Sequence, residues 1–266
     1  MGFAGSRVRP PGYTVAQQFE AGSVDQLVAL PDLRARLERW LLLLTTPATG
    51  PAPVPAALGS LTLPDTGWDA VERARAPGRP RAADYLTAYF DWHEPISGDR
   101  CGGVDPGVLC GFGLVSGLPV AYAAQCGTPT RPAGFRTAAR LVRLADRLGI
   151  PVLTLVDTPG AANDLAAEQA GVGPAIADMF TAVASAGVPI TTLLIGEGGS
   201  GGALAFAAPD RTWVTPDSYL AVISPELAAA ILKRDPEQAR ETADQLRLRP
   251  QDLVELKIAR GIADRS

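Results

Sequence analysis

The chain has 266 residues, 47% of them hydrophobic and 20% charged, which is enough apolar material for a full-sized core and excludes a mainly disordered state. With Lys+Arg 24 against Asp+Glu 28, the net charge is -4, so the broad basic footprint required by nucleic acid or an anionic lipid surface is missing. No apolar run approaches the roughly 18 residues of a spanning helix, and the start MGFAGSRVRPPGY lacks the apolar core of a signal peptide; the expectation is a cytoplasmic chain that binds neither membrane nor nucleic acid.

After Pro31, Leu33, Leu37, Leu41 and Leu44 recur at helical spacing, which predicts a docking helix in a front segment, residues 1–45, that is too short to form a good core alone. Residues 46–67 are dense in Pro, Ala and Gly and read as a semi-extended linker to a main domain over 68–266. Residues 68–76 and 82–90 read as short helices, and 108–115 and 119–124, parted by Ser116-Gly117, read as a hairpin. Residues 135–148 carry Ala138, Leu141, Leu144 and Leu148 on one face of a predicted helix. Then come a strand at 151–156, a helix at 168–186, a second strand at 189–195 and a small-residue helix at 201–207. Unalternated apolar strands joined through a helix mark an α/β chain with a parallel sheet covered on both faces.

Cys101, Cys110 and Cys126 form no C-x-x-C pair, and His93 is the single histidine, so neither a disulfide framework nor a zinc site of ordinary spacing is expected. The only lysines, Lys233 and Lys257, follow no glycine-rich loop. That removes the phosphate-gripping lysine of a nucleotide-binding loop, and with it a nucleotide-switch reading of Asp157-Thr158-Pro159-Gly160.

The sharpest local feature is Gly196-Glu197-Gly198-Gly199-Ser200-Gly201-Gly202-Ala203-Leu204, which follows a predicted strand and opens a predicted helix. Such a turn lets a ligand approach the backbone and offers unpaired N–H groups to a developing oxyanion; locally it serves equally well as a tight packing turn. The same string fits G-x-S-x-G around Ser200, a hydrolase elbow. His93, however, precedes the serine, whereas an elbow is followed by its acid and histidine, and both lysines lie on predicted surface helices near the end. The loop from Asp157 to Asp164 sits at the carboxyl end of the strand at 151–156, where open α/β sheets bind ligands. Both loops are therefore expected at one cleft, although Asp157 as a turn cap and Glu168 as a helix start are equally good local readings.

Six stretches, WDAVERARAPGRPRAADYL, SGDRCGGVDPGVLCGFG, PAGFRTAARLVRLADRLGIPVLTLVDTPGA, AAEQAGVGPAIA, GVPITTLLIGEGGSGGALAFA and YLAVISPELAAAIL, occur in order from about residue 68 to residue 264. Together they resemble the carboxyltransferase α subunit of bacterial acetyl-CoA carboxylase, of the crotonase-like superfamily. The front pieces MGFAGSRV and PPGYTVAQQFEAGSVDQLVALPDLRARLERWLLLL resemble the C-terminal end of the β subunit. The resemblance implies superhelical ββα units with covering helices, and transfer of a carboxyl group between carboxybiotin, presented by a biotinyl carrier protein, and an acyl thioester on CoA or a carrier. It assigns the oxyanion-binding amides to Gly201 and Gly202 and the surrounding biotin site to Gly160, Ala161, Ala162, Gly198 and Gly199. It implies no metal in this chain, and a hetero-oligomer with a β-like lobe that bears a zinc ribbon. Two departures stand out: the family's basic stretch is cut to Gln125–Arg131, and Ala162-Asn163-Asp164 replaces an aromatic residue, proline and glycine. Within the same fold they leave two rival readings open, a biotin-independent malonyl-thioester decarboxylase and a non-catalytic partner of a carboxyltransferase.

Overall fold

The computed structural model describes residues 14–265, so the MGFAGSRV motif and the PPGY that opens the second front piece lie outside the described residues. The front segment holds α1 (Val15–Glu20) and α2 (Leu33–Thr45). α1 is closed by a capping box in which Thr14 Oγ1 accepts the Gln17 N–H and the Gln17 side chain accepts the Thr14 N–H. α2 docks, but not by its leucine stripe. Leu43 is fully buried, Trp40 meets Phe112 edge-on at 5.9 Å, and Arg36 and Arg39 both pair with the buried carboxylate of Glu94. Leu33, Leu37, Leu41 and Leu44 lie on the other side and stay 40–60% exposed. Once Glu94 was buried, the face bearing its compensating arginines had to turn inward.

No helix or strand forms between α2 and α3 (Gly67–Arg75), as the composition leads one to expect, yet this segment is packed down. Ala52 and Ala57 are buried against the sheet, the Ala52 carbonyl accepts from Thr191 Oγ1 at 2.8 Å, and the Leu58 N–H donates to Tyr85 Oη at 3.2 Å. α4 (Ala82–Tyr89) follows, then an edge strand β1 (Trp92–Ile96). β2 (Val108–Val115) and β3 (Leu118–Gln125) form the expected hairpin, with Ser116 and Gly117 at φ 49° and 81° making the two-residue turn. α5 (Pro132–Leu148) begins three residues before the expected helix, on a proline at its first position, and ends on Gly149 at φ 69°.

β4 (Val152–Thr158), α6 (Leu165–Gln169), α7 (Val172–Ser185), β5 (Ile190–Gly199) and α8 (Ser200–Leu204) come next, and Gly171 at φ 76° divides what reads in sequence as one helix into α6 and α7. The chain ends with β6 (Thr212–Val214), β7 (Tyr219–Ala221), α9 (Pro225–Ile231), α10 (Ala239–Gln245), α11 (Pro250–Glu255) and β8 (Gly261–Ile262). The strands join in one sheet in the order β1-β2-β3-β4-β5-β6-β8, with β7 paired to β5. β2 is antiparallel to both of its neighbours, β1 and β3, and the remaining pairings are parallel.

Alternation along the strands feeds two cores. Val152, Val156, Ile190 and Leu194 face α5 and α7, while Leu153, Leu155, Leu193 and Ile195 face α4 and the Ala52–Ala57 stretch. A third cluster joins Ala70, Val71 and Ala74 of α3 to Tyr219 and Ala243. Among the described residues, no helix is long and apolar enough to cross a membrane.

Candidate active site

β5 is where the sheet opens. Its first half pairs with β6, and its last three residues, Glu197, Gly198 and Gly199, pair instead with Tyr219, Leu220 and Ala221 of β7. Between Val156 and Thr158 the β4 pairing slips, so Thr158 lies opposite Gly198 after Val156 has faced Leu194. β5 therefore carries two surplus residues relative to β4, an irregularity of the sort that re-aims strand ends beside active sites. Glycines accommodate it: a Cβ on Gly196 would strike Arg79 and Asp157, and one on Gly199 would strike the backbone of Pro159.

The two loops meet backbone to backbone. A Cβ on Gly202 would lie 2.5 Å from Ala161 N and 2.7 Å from Gly160 C, whereas one on Gly201 has nothing within 4 Å. Gly160, at φ 143°, holds a conformation that L side chains avoid. The junction is fixed from below. Thr158 Oγ1 lies 2.8 Å and 2.7 Å from the carbonyls of Thr128 and Gly160, and Gln125 Nε2 donates to the Gly202 carbonyl at 3.0 Å.

Above the junction lies a cleft of about 640 Å³, lined by Gly160, Ala161, Gly199, Ser200, Gly201 and Gly202 among others. Five of the seven glycines and alanines singled out in the sequence thus share one cavity. Gly198 does not line it, being paired to Leu220 inside β5, and Ala162 lies on the other side of the loop, in a neighbouring recess with Thr128 and Arg131. Asn163 borders both spaces.

Ser200 enters α8 at φ 54°, and no described side chain hydrogen-bonds its hydroxyl. His93 is far off in β1, with Nδ1 2.8 Å from Tyr122 Oη, and burial holds its imidazole below the ordinary value, favouring the neutral form. Lys233 and Lys257 are exposed, in turns that follow α9 and α11 rather than on those helices, and neither lines the cleft. The elbow thus has no histidine or lysine in its cleft to serve as a base. Asp157 is also no cleft acid: it is fully buried, its Oδ1 accepting from Arg79 Nη2 at 2.6 Å and from the Glu197 N–H at 3.2 Å, its Oδ2 from Arg81 Nη1 at 3.2 Å. Glu168 lies within α6, away from the cleft.

Three lining residues that the sequence left unassigned form the polar wall. Arg75 donates from Nε to Glu197 Oε2 at 2.9 Å, from Nη1 to Glu226 Oε1 at 2.5 Å and from Nη2 to Tyr219 Oη at 3.2 Å; Tyr219 in turn donates to Glu197 Oε2 at 2.7 Å. Burial opposes the Arg75 charge, but the hydrogen bonds to Glu226 and Glu197 outweigh it and keep the guanidinium ionised. Burial, reinforced by the Glu197 carboxylate, pushes the Tyr219 hydroxyl above its ordinary value. One sequence signal was present: Glu197 is the only charged residue in the glycine string. Among the described residues, no group of three or more His, Cys, Asp or Glu side chains is arranged to hold a metal ion.

A sheet whose central strand splays into a glycine turn, with the cleft at the strand ends, is the crotonase fold of acyl-CoA carboxylases and transcarboxylases. A single-chain, multi-domain long-chain acyl-CoA carboxylase superposes with TM-score 0.74 at 19% identity, covering 94% of this chain and 26% of that one. Transcarboxylase 12S superposes with TM-score 0.68 at 20% identity, covering 86% and 47%. The chain belongs to the acetyl co-enzyme A carboxylase carboxyltransferase-like family, whose model matches residues 62–265. The carboxyl transferase subunits beta/alpha of Saccharopolyspora erythraea are 37% identical over 290 residues, covering 99% of this chain and 50% of that protein. The subunit alpha of Aquifex aeolicus is 41% identical over 203 residues, covering 72% and 63%. The fused beta/alpha relative takes in the front segment as well, in keeping with its β-like sequence. The chain spans between 50% and 63% of the length of these two relatives.

Proposed function

We propose that the chain is the α-type half of an acyl-CoA carboxyltransferase, moving a carboxyl group between carboxybiotin on a carrier protein and an acyl thioester, in the manner of acetyl-CoA to malonyl-CoA. The carrying observation is the backbone junction of Gly202 with Gly160 and Ala161, which leaves Gly201 facing open space in a cleft with no lining histidine, lysine or cysteine. Such a site works through fixed main-chain donors rather than a side-chain base or nucleophile.

In this reading the amides of Gly201 and Gly202 hold the ureido oxygen, and Gly160, Ala161 and Gly199 shape the walls. Gly198 supports the turn from within β5, and Ala162 supports the loop from the neighbouring recess. The residues fit the group: the first turn of α8 has no side-chain cap, so its N–H groups are available, and the glycine cradle is closed beneath and open above. Bound carboxybiotin supplies the transferable carboxyl group and a nitrogen able to take up the substrate proton. The chain's own amides stabilise negative charge on the oxygen they hold, and removing one such donor typically costs about 3–4 kcal/mol of barrier lowering. Residues 68–266 form the catalytic lobe, residues 46–67 a connecting strap and residues 1–45 a docking segment. The thioester binds on a β-like lobe with a zinc ribbon, supplied by a second chain in a cytoplasmic hetero-oligomer.

The test is carboxyl transfer from malonyl-CoA to biocytin. The chain alone is expected to be inactive and the chain mixed with a β-like partner active. Gly201→Val in the mixture should abolish transfer with the circular dichroism unchanged, while Ser200→Ala keeps most of it. Full activity of Gly201→Val, or labelling of Ser200 by a fluorophosphonate, would overturn the reading.

A further inference from the structure

We propose that Glu197 is the hydrogen-bond acceptor of the cleft, taking an N–H of a cyclic urea through Oε1. This rests on the carboxyl-transfer reading above and adds to it a side chain that selects the ligand.

Glu197 is the one carboxylate among the residues lining the cleft, and its side chain is 15% exposed. Its two oxygens are used unequally. Arg75 Nε and Tyr219 Oη both donate to Oε2, at 2.9 Å and 2.7 Å, while Oε1 has no hydrogen-bond partner among the described residues. An ionised carboxylate has about four acceptor sites, so capacity remains on the oxygen left free. The side chain is held at both ends: its backbone N–H donates to the buried Asp157, and Arg75 ties its carboxylate to Glu226 at the start of α9. A carboxylate fixed in this way loses little conformational freedom when it accepts one more donor.

The charge around it narrows the donor. Arg75 already lies against Glu197, so a cationic amine gains little there and meets the guanidinium. An anion is repelled by Glu197 itself. A neutral N–H suits both neighbours. The rest of the wall includes donors, the main-chain amides of the glycine turn and the Arg75 guanidinium, and these suit a carbonyl. A group that joins a carbonyl to a neutral N–H matches the wall as a whole, and a cyclic urea carries both on one small ring. An ester or carbonate of the same shape fills the carbonyl contacts and leaves Oε1 unpaired.

The test compares 2-imidazolidone with ethylene carbonate, the same ring with each N–H replaced by oxygen, by ligand-observed NMR titration of the full chain. The wild type is expected to bind the urea about tenfold more tightly, the scale of a hydrogen bond to a charged group. Glu197→Ala should reduce that preference to near unity, Glu197→Gln should retain part of it through its amide carbonyl, and Tyr219→Phe, which leaves Oε1 in place, should retain most. Equal binding of the two rings by the wild type, or an undiminished preference in a folded Glu197→Ala, overturns the assignment to Glu197 while leaving carbonyl recognition by the turn intact. Binding of neither ring by the wild type overturns the urea reading of the cleft itself, and the role of Glu197 with it. The comparison in the wild type stands even where a variant fails to fold.

Discussion

Adjacent glycines in the turn should respond to alanine in opposite senses. At Gly202 the added methyl meets Ala161 N at 2.5 Å and Gly160 C at 2.7 Å. Both are backbone atoms, so no side chain can rotate away and one loop must shift. Overpacking of this kind costs about 1–3 kcal/mol, partly offset by the roughly 0.5–1 kcal/mol that alanine gains over glycine in a helix. The net cost is at most about 2.5 kcal/mol, and at the scale of about 2–4 °C per kcal/mol for a chain near this size Gly202→Ala should melt lower by up to about 10 °C. At Gly201 nothing lies within 4 Å and the residue is not among those with positive φ, so only the helical gain remains and Gly201→Ala should melt slightly higher, by about 1–4 °C. Thermal unfolding followed by far-ultraviolet circular dichroism, with both variants at one protein concentration, reads the difference. Equal destabilisation of the two, or a Gly202→Ala as stable as the wild type, would show that the two loops are not in rigid backbone contact.

The buried pair of Arg79 and Asp157, with side chains 3% and 0% exposed, gives a second test. Asp157→Asn leaves an uncompensated guanidinium and should cost about 3–5 kcal/mol in urea denaturation, whereas Arg79→Met combined with Asp157→Leu should recover much of that loss; a single variant within about 1 kcal/mol of the wild type would contradict this. His93 gives a third. Its folded pKa lies below the ordinary 6.5 because burial disfavours the imidazolium, so the unfolded chain takes up the proton first as the pH drops. The stability this residue contributes is full above pH 6.5 and is lost as the pH falls through the folded value. With one histidine in the chain, a single proton NMR resonance reports the midpoint, and a value at or above 6.5 would refute the shift.

What was legible in the sequence was what local chemistry dictates. Ser116-Gly117 mark the hairpin, and the apolar runs mark the parallel pair β4 and β5; on α5 the face of Ala138 and Leu141 is buried and Leu144 partly so, whereas Leu148 at the helix end is exposed. The features that escaped notice depend on distant partners. The Gly196–Gly199 string reads as a loop, yet it is strand, because β7 arrives to pair with it. β1 carries no strand pattern because Pro95 and the charged Glu94 interrupt it, and burial of Glu94 is made tolerable by distant partners, the Arg36 and Arg39 guanidiniums and the Gln26 amide. The same pairing turned α2 over, so a leucine spacing that correctly indicated a helix pointed to the wrong docking face. In the cleft, the string Gly196–Gly202 stands out by its glycine density, whereas Arg75 is 122 residues away from Glu197 and nothing near it in sequence announces the contact.

The packed course of residues 46–67 has a mechanical consequence. A free stretch of this length would let α2 wander, and anything gripping it would be diluted over the volume the tether sweeps out. Here Ala52 and Ala57 are seated on the sheet, and Ser60 N–H donates to Asp217 Oδ2 at 2.6 Å, so the span behaves as a taut strap. The outward leucine ridge of α2 is thereby carried at a set distance and bearing from the glycine turn. A body seated on that ridge would be indexed to the cleft as a jig is to its workpiece, with no search left to make.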